Sequence, residues 1–358
     1  MGAKRKLPKN GSSCHVENSK QRRQRPIRVG TDCAGIMGAS LAMEKLGLRI
    51  EHVFVSEKEA FVRRLITHNF GIKRKAICTD VMARNNSDTP PCDIYTAGFP
   101  CQPFSSEGQG GGQMDKWGRG IVAWKLVGYV AAQHPCAFVF ENVSNIEAKK
   151  FEAFRSRFLG LLRGIRRAGK KAYRVETCVL NAKDHGVPQS RKRWYVVGLR
   201  KDLLRRKFEW PSPTPTPPLN SVLDNDAEAS PPPIPDYALP NILTAIKRIQ
   251  KLGHDVNKAP MCAEVLSGLR VTVMKGVSPC LTRTRCASGG HYLVRNHRLM
   301  TTSEILRLQG VDPTRLTAPS GVSERQLRMA IGNAFTVTVF ERLISNILKS
   351  IELPPRCA

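Results

Sequence analysis

Acidic residues are scarce in this 358-residue chain, where 29 Asp and Glu oppose 57 Lys and Arg, a formal net charge of +28 at pH 7. Such an excess of positive charge implies a polyanionic partner, and nucleic acid is the first candidate. An acidic membrane surface is the second. However, the sequence has no apolar run of 18 residues, no signal-peptide segment and no myristoylation signal at its start. We therefore expect no membrane partner.

Paired cysteines are also lacking. The 11 cysteines lie at irregular spacings without a C-x-x-C pair, which favours neither a zinc site nor the disulfide framework of a secreted protein. We therefore assign no metal ligand and expect a reducing, intracellular environment. With 41% hydrophobic residues, the chain suffices for one large domain with a smaller one, or for one elaborated domain.

Apolar residues are nearly missing from residues 1–26, where eight Lys and Arg oppose one acid, Glu17. This composition predicts a disordered basic arm. Its basic clusters suit nuclear import or contacts with DNA phosphates, and a solubilising tail is the alternative. We expect a nuclear protein if the source is eukaryotic and a cytoplasmic one otherwise.

The first part of the predicted fold is a strand at residues 27–29, a glycine-bearing turn, and a helix at residues 39–46 that Gly47 caps. This layout lets the backbone approach a nucleotide-like ligand, although a tight turn without a ligand has the same pattern. Three successive strand-like segments then end in an acid: Asp32, Glu57 and Asp80. Three such acids suit the ribose and adenine of an adenosyl group better than the phosphates of a dinucleotide.

Residues 92–97 are apolar and end in β-branched and aromatic side chains, so they predict a buried strand. Gly98 and Pro100 break this strand and place Cys101 on the following loop, at the carboxyl edge where an open α/β sheet binds ligands. Cys101 is therefore a candidate nucleophile, with a buried structural cysteine as the alternative. The glycine-rich residues 108–113 suit either a mobile lid or a passive linker.

Further candidates stand beside two later strands. Glu141 ends the apolar run of residues 137–140, where a carboxylate needs a partner or a function; a structural ion pair is the alternative. Gln189, Arg191 and Arg193 alternate, so in an extended chain they face one side and suit a base or a phosphate.

Helices are also predicted at three later positions. Residues 151–175 form a strongly basic helical segment, and Thr301 with Glu304 forms a capping box that opens a helix ending at residue 308. A terminal helix is predicted over residues 339–351. The basic segment suits a solvated face or a distal contact with DNA.

Residues 98–105, with the sequence GFPCQPFS, resemble the nucleophile loop of the DNA (cytosine-5) methyltransferase family. Other family blocks follow in the family's order: residues 32–38, the ENV triplet 141–143, the Gln-x-Arg-x-Arg block 189–193, residues 298–310 and residues 331–337. The resemblance runs from residue 29 to about residue 339 and leaves out the segment between residues 210 and 297. Cys33 and Met37 depart from the family, which usually has Phe and Gly there.

The resemblance implies an α/β fold with a doubly wound, Rossmann-like methyltransferase sheet and S-adenosyl-L-methionine as the cofactor. Glu57 is similar to the family's ribose acid and Asp80 to its adenine-contacting acid. The cofactor-binding positions are Asp32, Cys33, Gly35, Glu57, Asp80, Pro100, Asn333 and Ala334. The catalytic positions are Cys101, Glu141, Arg191 and Arg193, and the substrate-binding positions are Gln102, Ser105, Asn142 and Gln189.

The resemblance also divides the chain. Residues 27–199 with 323–352 form the predicted catalytic domain, and residues 200–322 a smaller, irregular target-recognition region. This region begins with a linker, residues 211–240, that holds ten of the chain's 24 prolines. Arg283 and Arg285 lie in a predicted basic turn of this region. Since arginine is the commonest reader of guanine, we predict that they choose the DNA sequence and contribute little to methyl transfer.

The predicted reaction transfers a methyl group from the cofactor to carbon 5 of cytosine in double-stranded DNA. Carbon 5 becomes nucleophilic only after a thiolate adds at carbon 6, and Cys101 is the candidate thiolate, with Arg191 and Arg193 lowering its pKa. A protonated Glu141 would neutralise charge at nitrogen 3. Asn142 and Gln189 would orient the loop, and the base must be flipped out of the duplex.

Two alternatives remain open. The first is the same chemistry on RNA, as in the tRNA-methylating branch of the family, although the Cys-Phe-Thr signature of that branch is missing from the target region. The second is a catalytically silent, methyltransferase-like module that binds DNA. Cys33 and Met37 favour the second alternative, whereas intact Cys101, Glu141 and Arg191 oppose it.

Overall fold

The computed structural model describes residues 25–104, 119–266 and 271–355. Its first nine strands are β1 Ile27–Asp32, β2 Ile50–Ser56, β3 Ile77–Cys78, β4 Ile94–Gly98, β5 Ala137–Val143, β6 Arg166–Arg167, β7 Lys170–Lys171, β8 Tyr173–Asn181 and β9 Lys192–Arg200. Seven of them form the main sheet, in the order β3-β2-β1-β4-β5-β9-β8. The first five strands in this order, β3, β2, β1, β4 and β5, are parallel to one another. Strand β9 runs antiparallel to both of its neighbours, β5 and β8.

Helices cover both faces of this sheet. The α-helices of the described residues are α1 Gly38–Lys45, α2 Ala60–Phe70, α3 Val122–Gln133, α4 Glu152–Gly164, α5 Leu239–Lys251, α6 Arg283–Ala287, α7 Thr302–Leu308, α8 Glu324–Gly332 and α9 Val337–Ser350. Successive strand residues face opposite sides, so Ile94 packs in the core of α1 and α9, and Tyr95 in the core of α3 and α4. The prediction of a doubly wound α/β sheet is confirmed.

A second, antiparallel sheet is formed by residues that follow the main-sheet strands and precede the C-terminal helices along the chain. Its strands are β10 Met261–Glu264, β11 Thr272–Lys275, β12 Tyr292–Leu293 and β13 Arg298–Leu299, in the order β11-β10-β12-β13. Helix α5 packs Ile242, Ala245 and Ile249 against this sheet in a core of its own. Before α5, the described residues 211–238 hold short 3₁₀ turns and no strand, as the proline content predicted.

Two local predictions are wrong. The basic segment 151–175 is not helical throughout, because α4 ends at Gly164 and β6 and β7 form a hairpin. Ala168 and Gly169 have φ of 48° and 76°, as a two-residue hairpin turn requires. Arg283 and Arg285 lie in helix α6 rather than in a turn, since the Thr282 side chain caps that helix by accepting from Arg285 N. The capping box of Thr301 and Glu304 is confirmed at the start of α7.

The chain is anchored to the fold from Arg25 onward. The Arg25 guanidinium bonds both carboxylate oxygens of Asp93, at 2.6 and 3.0 Å, and donates to the Pro354 carbonyl. Residues 1–24 of the predicted arm lie outside the described residues. Arg25 itself is part of the folded domain, so the predicted arm boundary at residue 26 is too late. Within the described ranges, no helix is long and apolar enough to cross a membrane.

Candidate active site

Strand register brings the predicted catalytic residues to one edge of the main sheet. Gly98 at the end of β4 pairs with Glu141 of β5, which pairs with Tyr195 of β9. Because β9 is antiparallel to β5, its first residues meet the carboxyl end of β5, and Arg193 pairs with Val143. Cys101 follows three residues after Gly98. The loop nucleophile, the carboxylate and one arginine therefore meet at the carboxyl edge.

Side-chain amides hold the Cys101 loop in place. Asn142 Nδ2 donates to the Phe99 carbonyl at 3.1 Å, and Asn145 Nδ2 donates to the Phe104 carbonyl at 2.7 Å. Phe104 N also donates to the Cys101 carbonyl, closing a turn. Asn142 thus braces the loop in the way that the sequence predicts, and Asn145 adds a second brace that no sequence motif marked. Ser105 and the glycine-rich residues 108–113 lie outside the described residues.

Glu141 and Arg193 form a buried ion pair. Arg193 Nε lies 3.1 Å from Glu141 Oε1, and Glu141 is 8% exposed. Burial raises the pKa of the Glu141 carboxyl, although Arg193 and Arg191 act in the opposite direction. The site therefore favours a proton on Glu141 more than water would.

The Cys101 thiol does not have the lowered pKa that the sequence analysis expected. Burial raises its pKa, Arg193 lowers it, Glu141 raises it and Arg191 lowers it, and the net direction is upward. The two arginines act with the predicted sign, but desolvation of the thiolate outweighs them. In the free protein Cys101 is therefore mainly a thiol at neutral pH.

Arg191 and Gln189 brace the backbone of neighbouring segments. Arg191, 3% exposed, donates to the carbonyls of Leu281, Gly332 and Ala334. Gln189, fully buried, donates to the Leu308 carbonyl at 2.8 Å and accepts from Leu281 N at 3.0 Å. The predictions that Gln189 binds substrate and orients the Cys101 loop are therefore not supported, because both ends of its amide are engaged elsewhere.

A second thiol shares the arginines of the site. Cys280 Sγ lies 3.6 Å from Arg193 Nη2 and 3.8 Å from Arg191 Nη1. Burial alone raises the pKa of Cys280, but Arg193 and Arg191 outweigh it, and the net pKa is lowered. No motif around residue 280 marked this residue, because its contacts are made with strand β9, almost 90 residues earlier.

Asp32 is bonded to side chains inside the fold. Its carboxylate is fully buried and takes hydrogen bonds from Arg84 Nη1 at 2.6 Å and from the Tyr95 hydroxyl. Arg84 also lies over the rings of Phe54 and Tyr129. The two carboxylate oxygens of Asp32 are thus engaged by different partners inside the fold, and no sequence motif marked Arg84 as one of them.

Glu57 and Asp80 follow the ends of the neighbouring parallel strands β2 and β3. Glu57 follows β2, is 9% exposed and accepts from Gly35 N and Glu59 N, both at 2.9 Å. Asp80 follows β3 with its side chain 41% exposed, and its carboxylate accepts from Met82 N. Because acids of this kind bind ribose and adenine, and the Asp80 carboxylate is open to solvent, these residues fit the adenosyl cofactor.

The turn after β1 has an unusual backbone. Cys33, Gly35 and Met37 all have positive φ, at 51°, 53° and 60°. Only glycine adopts this region without strain, so Cys33 and Met37 store strain in the turn. Met37 is 1% exposed and packs in the core with α1. The side chain that replaces the family's glycine therefore points into the core rather than into the cofactor site.

The C-terminal block closes this edge of the sheet. Asn333 is exposed and ends α8, whereas Ala334 is buried and bonded to Arg191 through its carbonyl. A Cβ at Gly98 would lie 2.6 Å from the Phe335 ring, so Phe335 packs directly on the end of β4. Pro100 and Gln102 are half-buried beside Cys101, and Gln102 Oε1 is a buried acceptor without a partner among the described residues.

Arg283 and Arg285 are paired with acids rather than directed outward to bases. Arg283 Nη1 lies 3.1 Å from Glu59 Oε1, two residues after Glu57. Arg285 Nε lies 2.7 Å from Glu264 Oε1 of β10, and its Nη1 donates to the Cys280 carbonyl. Both arginines are therefore engaged within the chain when no DNA is bound, and their role in choosing the DNA sequence stays a prediction. These contacts join α6 to the cofactor edge and to the second sheet.

Comparison with known proteins agrees with this geometry. A family model for C-5 cytosine-specific DNA methylases matches residues 28–349. The chain is 30% identical over 332 residues to the type II methyltransferase M.HaeII of Haemophilus aegyptius, covering 90% of this chain and 93% of that protein. It is 33% identical over 314 residues to the type II methyltransferase M.NgoBI of Neisseria gonorrhoeae, covering 86% and 89%.

Two solved structures share the fold. The S. pombe Dnmt2 methyltransferase superposes with a TM-score of 0.60 at 18% identity, covering 91% of this chain and 99% of that chain. The Entamoeba histolytica methyltransferase EhMeth gives 0.61 at 16% identity, with coverage of 91% and 99%. Since the family match takes in well over half of the chain, this protein belongs to the C-5 cytosine-specific DNA methylase family and methylates DNA from S-adenosyl-L-methionine.

Proposed function

We propose that the enzyme methylates carbon 5 of a cytosine flipped out of double-stranded DNA, through a transient bond between Cys101 Sγ and carbon 6 of the base. The observation that carries this proposal is the cluster of the Cys101 loop, Glu141 and Arg193 at the carboxyl edge of β4, β5 and β9. A braced nucleophile beside a carboxyl of raised pKa is the arrangement that this chemistry needs.

The steps divide between two residues. The Cys101 thiolate adds to carbon 6, and the ring electrons move toward nitrogen 3, where the proton of Glu141 neutralises the developing charge. Carbon 5 then carries enamine character and takes the methyl group. Water takes the carbon 5 proton, the electron pair of that C–H bond expels the Cys101 thiolate, and Glu141 regains the nitrogen 3 proton, which restores the aromatic ring. Glu57 and Asp80 would hold the adenosyl part of the cofactor, which would supply a sulfonium methyl group.

Arg193 positions Glu141 and offsets part of the burial cost of the Cys101 thiolate. Glu141 is 8% exposed and lies at the end of a buried strand. A base that is stacked inside a duplex cannot reach this carboxyl. The target cytosine must therefore leave the helix, at a cost of a few kcal/mol. The excess of positive charge on the chain supports the phosphate contacts that hold DNA during this step.

The test uses wild type, Cys101→Ser and the control Cys136→Ser, which lies before β5 at the end opposite Glu141. Methylation of duplex DNA should fall by far more than about tenfold in Cys101→Ser, since a neutral hydroxyl is a much weaker nucleophile, and persist in Cys136→Ser. DNA binding should survive both changes.

A duplex that contains 5-fluorocytosine should trap a covalent adduct on the peptide of Cys101, identified by mass spectrometry. An adduct on another cysteine would refute the assigned nucleophile. Labelled cofactor offered with duplex DNA and with RNA tests the substrate. Methylation of RNA in place of DNA would overturn the proposal, and methylation of neither would indicate a silent DNA-binding module.

A further inference from the structure

Arg193 is held at each of its three guanidinium nitrogens. Nε lies 3.1 Å from Glu141 Oε1, Nη1 donates to the Lys192 carbonyl at 2.8 Å, and Nη2 lies 3.6 Å from Cys280 Sγ. A guanidinium is planar with its N–H groups in fixed directions, so the partners of the two terminal nitrogens determine where Nε points. The Lys192 carbonyl belongs to the preceding residue of β9, whereas Cys280 comes from a distant part of the chain. Cys280 is therefore a candidate anchor for the ion pair between Arg193 and Glu141.

The backbone on both sides of Cys280 is bonded to the segment that carries the arginines. Before it, Ser278 N donates to the Pro188 carbonyl at 2.7 Å. After it, Leu281 N donates to Gln189 Oε1 at 3.0 Å. A parallel bridge between Gln189 and Ser278 adds to these bonds. The sulfur of the residue between them therefore has a fixed place beside the start of β9.

Cys280 also brings negative charge to Arg193. Its sulfur lies 3.8 Å from Arg191 Nη1, in addition to its contact with Arg193. These two guanidiniums, together with that of Arg285, lower the pKa of the Cys280 thiol by more than burial raises it. Cys280 thus ionises more readily than a free thiol, and its thiolate balances part of the Arg193 charge.

Other titratable groups surround the thiols of Cys280 and Cys101. The charged ones are Arg191, Arg285, Glu141 and Glu264, which pairs with Arg285. Two neighbours of Cys280 are neutral at pH 7, because burial raises the pKa of the Cys286 thiol to about 12 and lowers that of the His291 imidazole to about 3. A shift in the titration of Cys101 on replacement of Cys280 therefore does not come from these two groups.

We propose that Cys280 is a positioning residue for methyl transfer, which anchors Arg193 so that its Nε stays on the Glu141 carboxyl. This inference rests on the proposed function, in which Glu141 and Cys101 act on the target base. Cys280 lies in residues 200–322, which the sequence assigns to target recognition, yet it acts at the catalytic edge. Its thiolate also shares the charge of Arg193 with Cys101, and of two thiols beside one guanidinium the second ionises less readily.

Steady-state kinetics on duplex DNA test the anchor in the full-length chain. Cys280→Ala removes the acceptor, so kcat should fall at least about fivefold while the KM for DNA changes little. Cys280→Ser keeps an acceptor of similar size and should restore kcat to within about threefold of wild type. Cys178→Ser is the matched control and should leave kcat unchanged, because Cys178 is also half-buried but lies on β8, where the charge that acts on it is that of Glu147.

Alkylation of Cys101 by iodoacetamide is a second readout, which needs no methyl transfer. Without a thiolate at residue 280, the pH at which Cys101 reacts at half of its maximal rate should be lower in Cys280→Ser than in wild type, by about 0.5 or more. Buried Cys286 should stay as slow to react as in wild type. Faster labelling of Cys286 would attribute the shift to a loosened fold and count against the proposal.

An unmoved Cys101 midpoint, or a Cys280→Ala protein with the kcat of wild type, would overturn the role of Cys280. Equal losses of kcat in Cys280→Ala and Cys280→Ser would also overturn it, since the serine hydroxyl still accepts from Arg193. Failure of the proposed function is a separate result, because it would appear as methylation that persists in Cys101→Ser.

Discussion

Two cysteines share one guanidinium at the catalytic edge, and they are affected in opposite directions. Arg193 lowers the pKa of both thiols, yet the net pKa is raised for Cys101 and lowered for Cys280. Cys280 is in contact with two arginines, whereas Cys101 also has Glu141 nearby, which opposes its ionisation. The resting site therefore places its thiolate on Cys280 before it places one on Cys101.

This difference predicts the order of alkylation in the free enzyme. At pH 7 iodoacetamide should modify Cys280 faster than Cys101, because only the thiolate reacts and the lower pKa gives the larger thiolate fraction. As pH rises, the Cys280 rate should reach half of its maximum below pH 9 and the Cys101 rate should do so above pH 9. Timed alkylation with peptide mass spectrometry measures both, and buried Cys286 serves as the slow control. Faster labelling of Cys101 at pH 7 would contradict the assignment.

Met37 allows backbone strain to be separated from packing. Met37→Ala should lower the free energy of unfolding by about 2–5 kcal/mol, because it empties a buried site. Met37→Gly empties nearly the same volume but removes the Cβ that opposes a φ of 60°. It should therefore be more stable than Met37→Ala by about 1 kcal/mol. Urea unfolding of both variants tests this order, and equal stability would show that the turn is unstrained.

At the scale of elements, apolar runs predicted the parallel strands and the amphipathic or capped helices well. Residues 92–97 and 137–140 led directly to β4 and β5, because a strand buried on both faces leaves an uninterrupted apolar signature. The β6–β7 hairpin was missed because charged residues form both of its strands. Helix α6 was missed because it has five residues and depends on one side-chain cap.

The placement of site residues was predictable where one motif held both the residue and its surroundings, as for Cys101 and Asn142. Contacts were missed where the partner lies in another part of the sequence. Arg285 meets Glu264 across the second sheet, and Gln189 meets residues about 90 and 120 positions later. A single sequence contains no signal for such pairings. It therefore does not distinguish a side chain that braces the fold from one that contacts DNA bases.

Close packing of α6 against α8 is predicted to be sensitive to one methyl group. A Cβ at Gly332 would lie 2.4 Å from the Thr282 carbonyl oxygen, and backbone cannot rotate away as a side chain can. Gly332→Ala should therefore cost about 1–3 kcal/mol of unfolding free energy. It should also weaken methylation, because α6 carries Arg283 and Arg285 and begins three residues after Cys280, which contacts Arg193.

Gly160→Ala is the matched control for this change. Gly160 lies in α4, is exposed and has no atom within 4 Å of an added Cβ among the described residues. The substitution should stabilise the protein by about 0.5–1 kcal/mol, the helix preference of Ala over Gly. Chemical denaturation of both variants gives the comparison. A Gly332→Ala protein as stable as wild type would mean that α6 moves freely relative to α8.

Across the whole molecule, the positive charge is not all placed where DNA would bind. The exposed β6–β7 hairpin carries Arg166, Arg167, Lys170 and Lys171. It precedes β8 at the end opposite Asn181, and this end lies about 25 Å from the catalytic edge. We therefore expect the hairpin to contribute little to phosphate binding at the target cytosine, whatever its share of the net charge.

The basic residues before Arg25 are the remaining large group of cations, and truncation can test them if it stops at the right residue. Deleting residues 1–24 removes seven Lys and Arg and leaves Arg25 bonded to Asp93. DNA affinity should fall. The slope of the logarithm of the binding constant against the logarithm of the salt concentration should become less steep, by up to about 0.9 for each DNA phosphate that the protein no longer neutralises. The set of methylated cytosines should stay the same, because binding to phosphates carries no sequence information.

Deleting one residue more should have a different effect. Without Arg25, the carboxylate of Asp93, which is 7% exposed, keeps the backbone N–H of Arg28 but has no ion pair with residue 25. The free energy of unfolding should then drop by a further 1–3 kcal/mol or so, and full-length Arg25→Ala should show the same decrease. Salt-dependent binding, a sequencing map of methylated sites and urea unfolding of the two truncations distinguish the effects. If removing residues 1–24 redirects methylation to other cytosines, the segment reads bases and its assignment to phosphates is wrong.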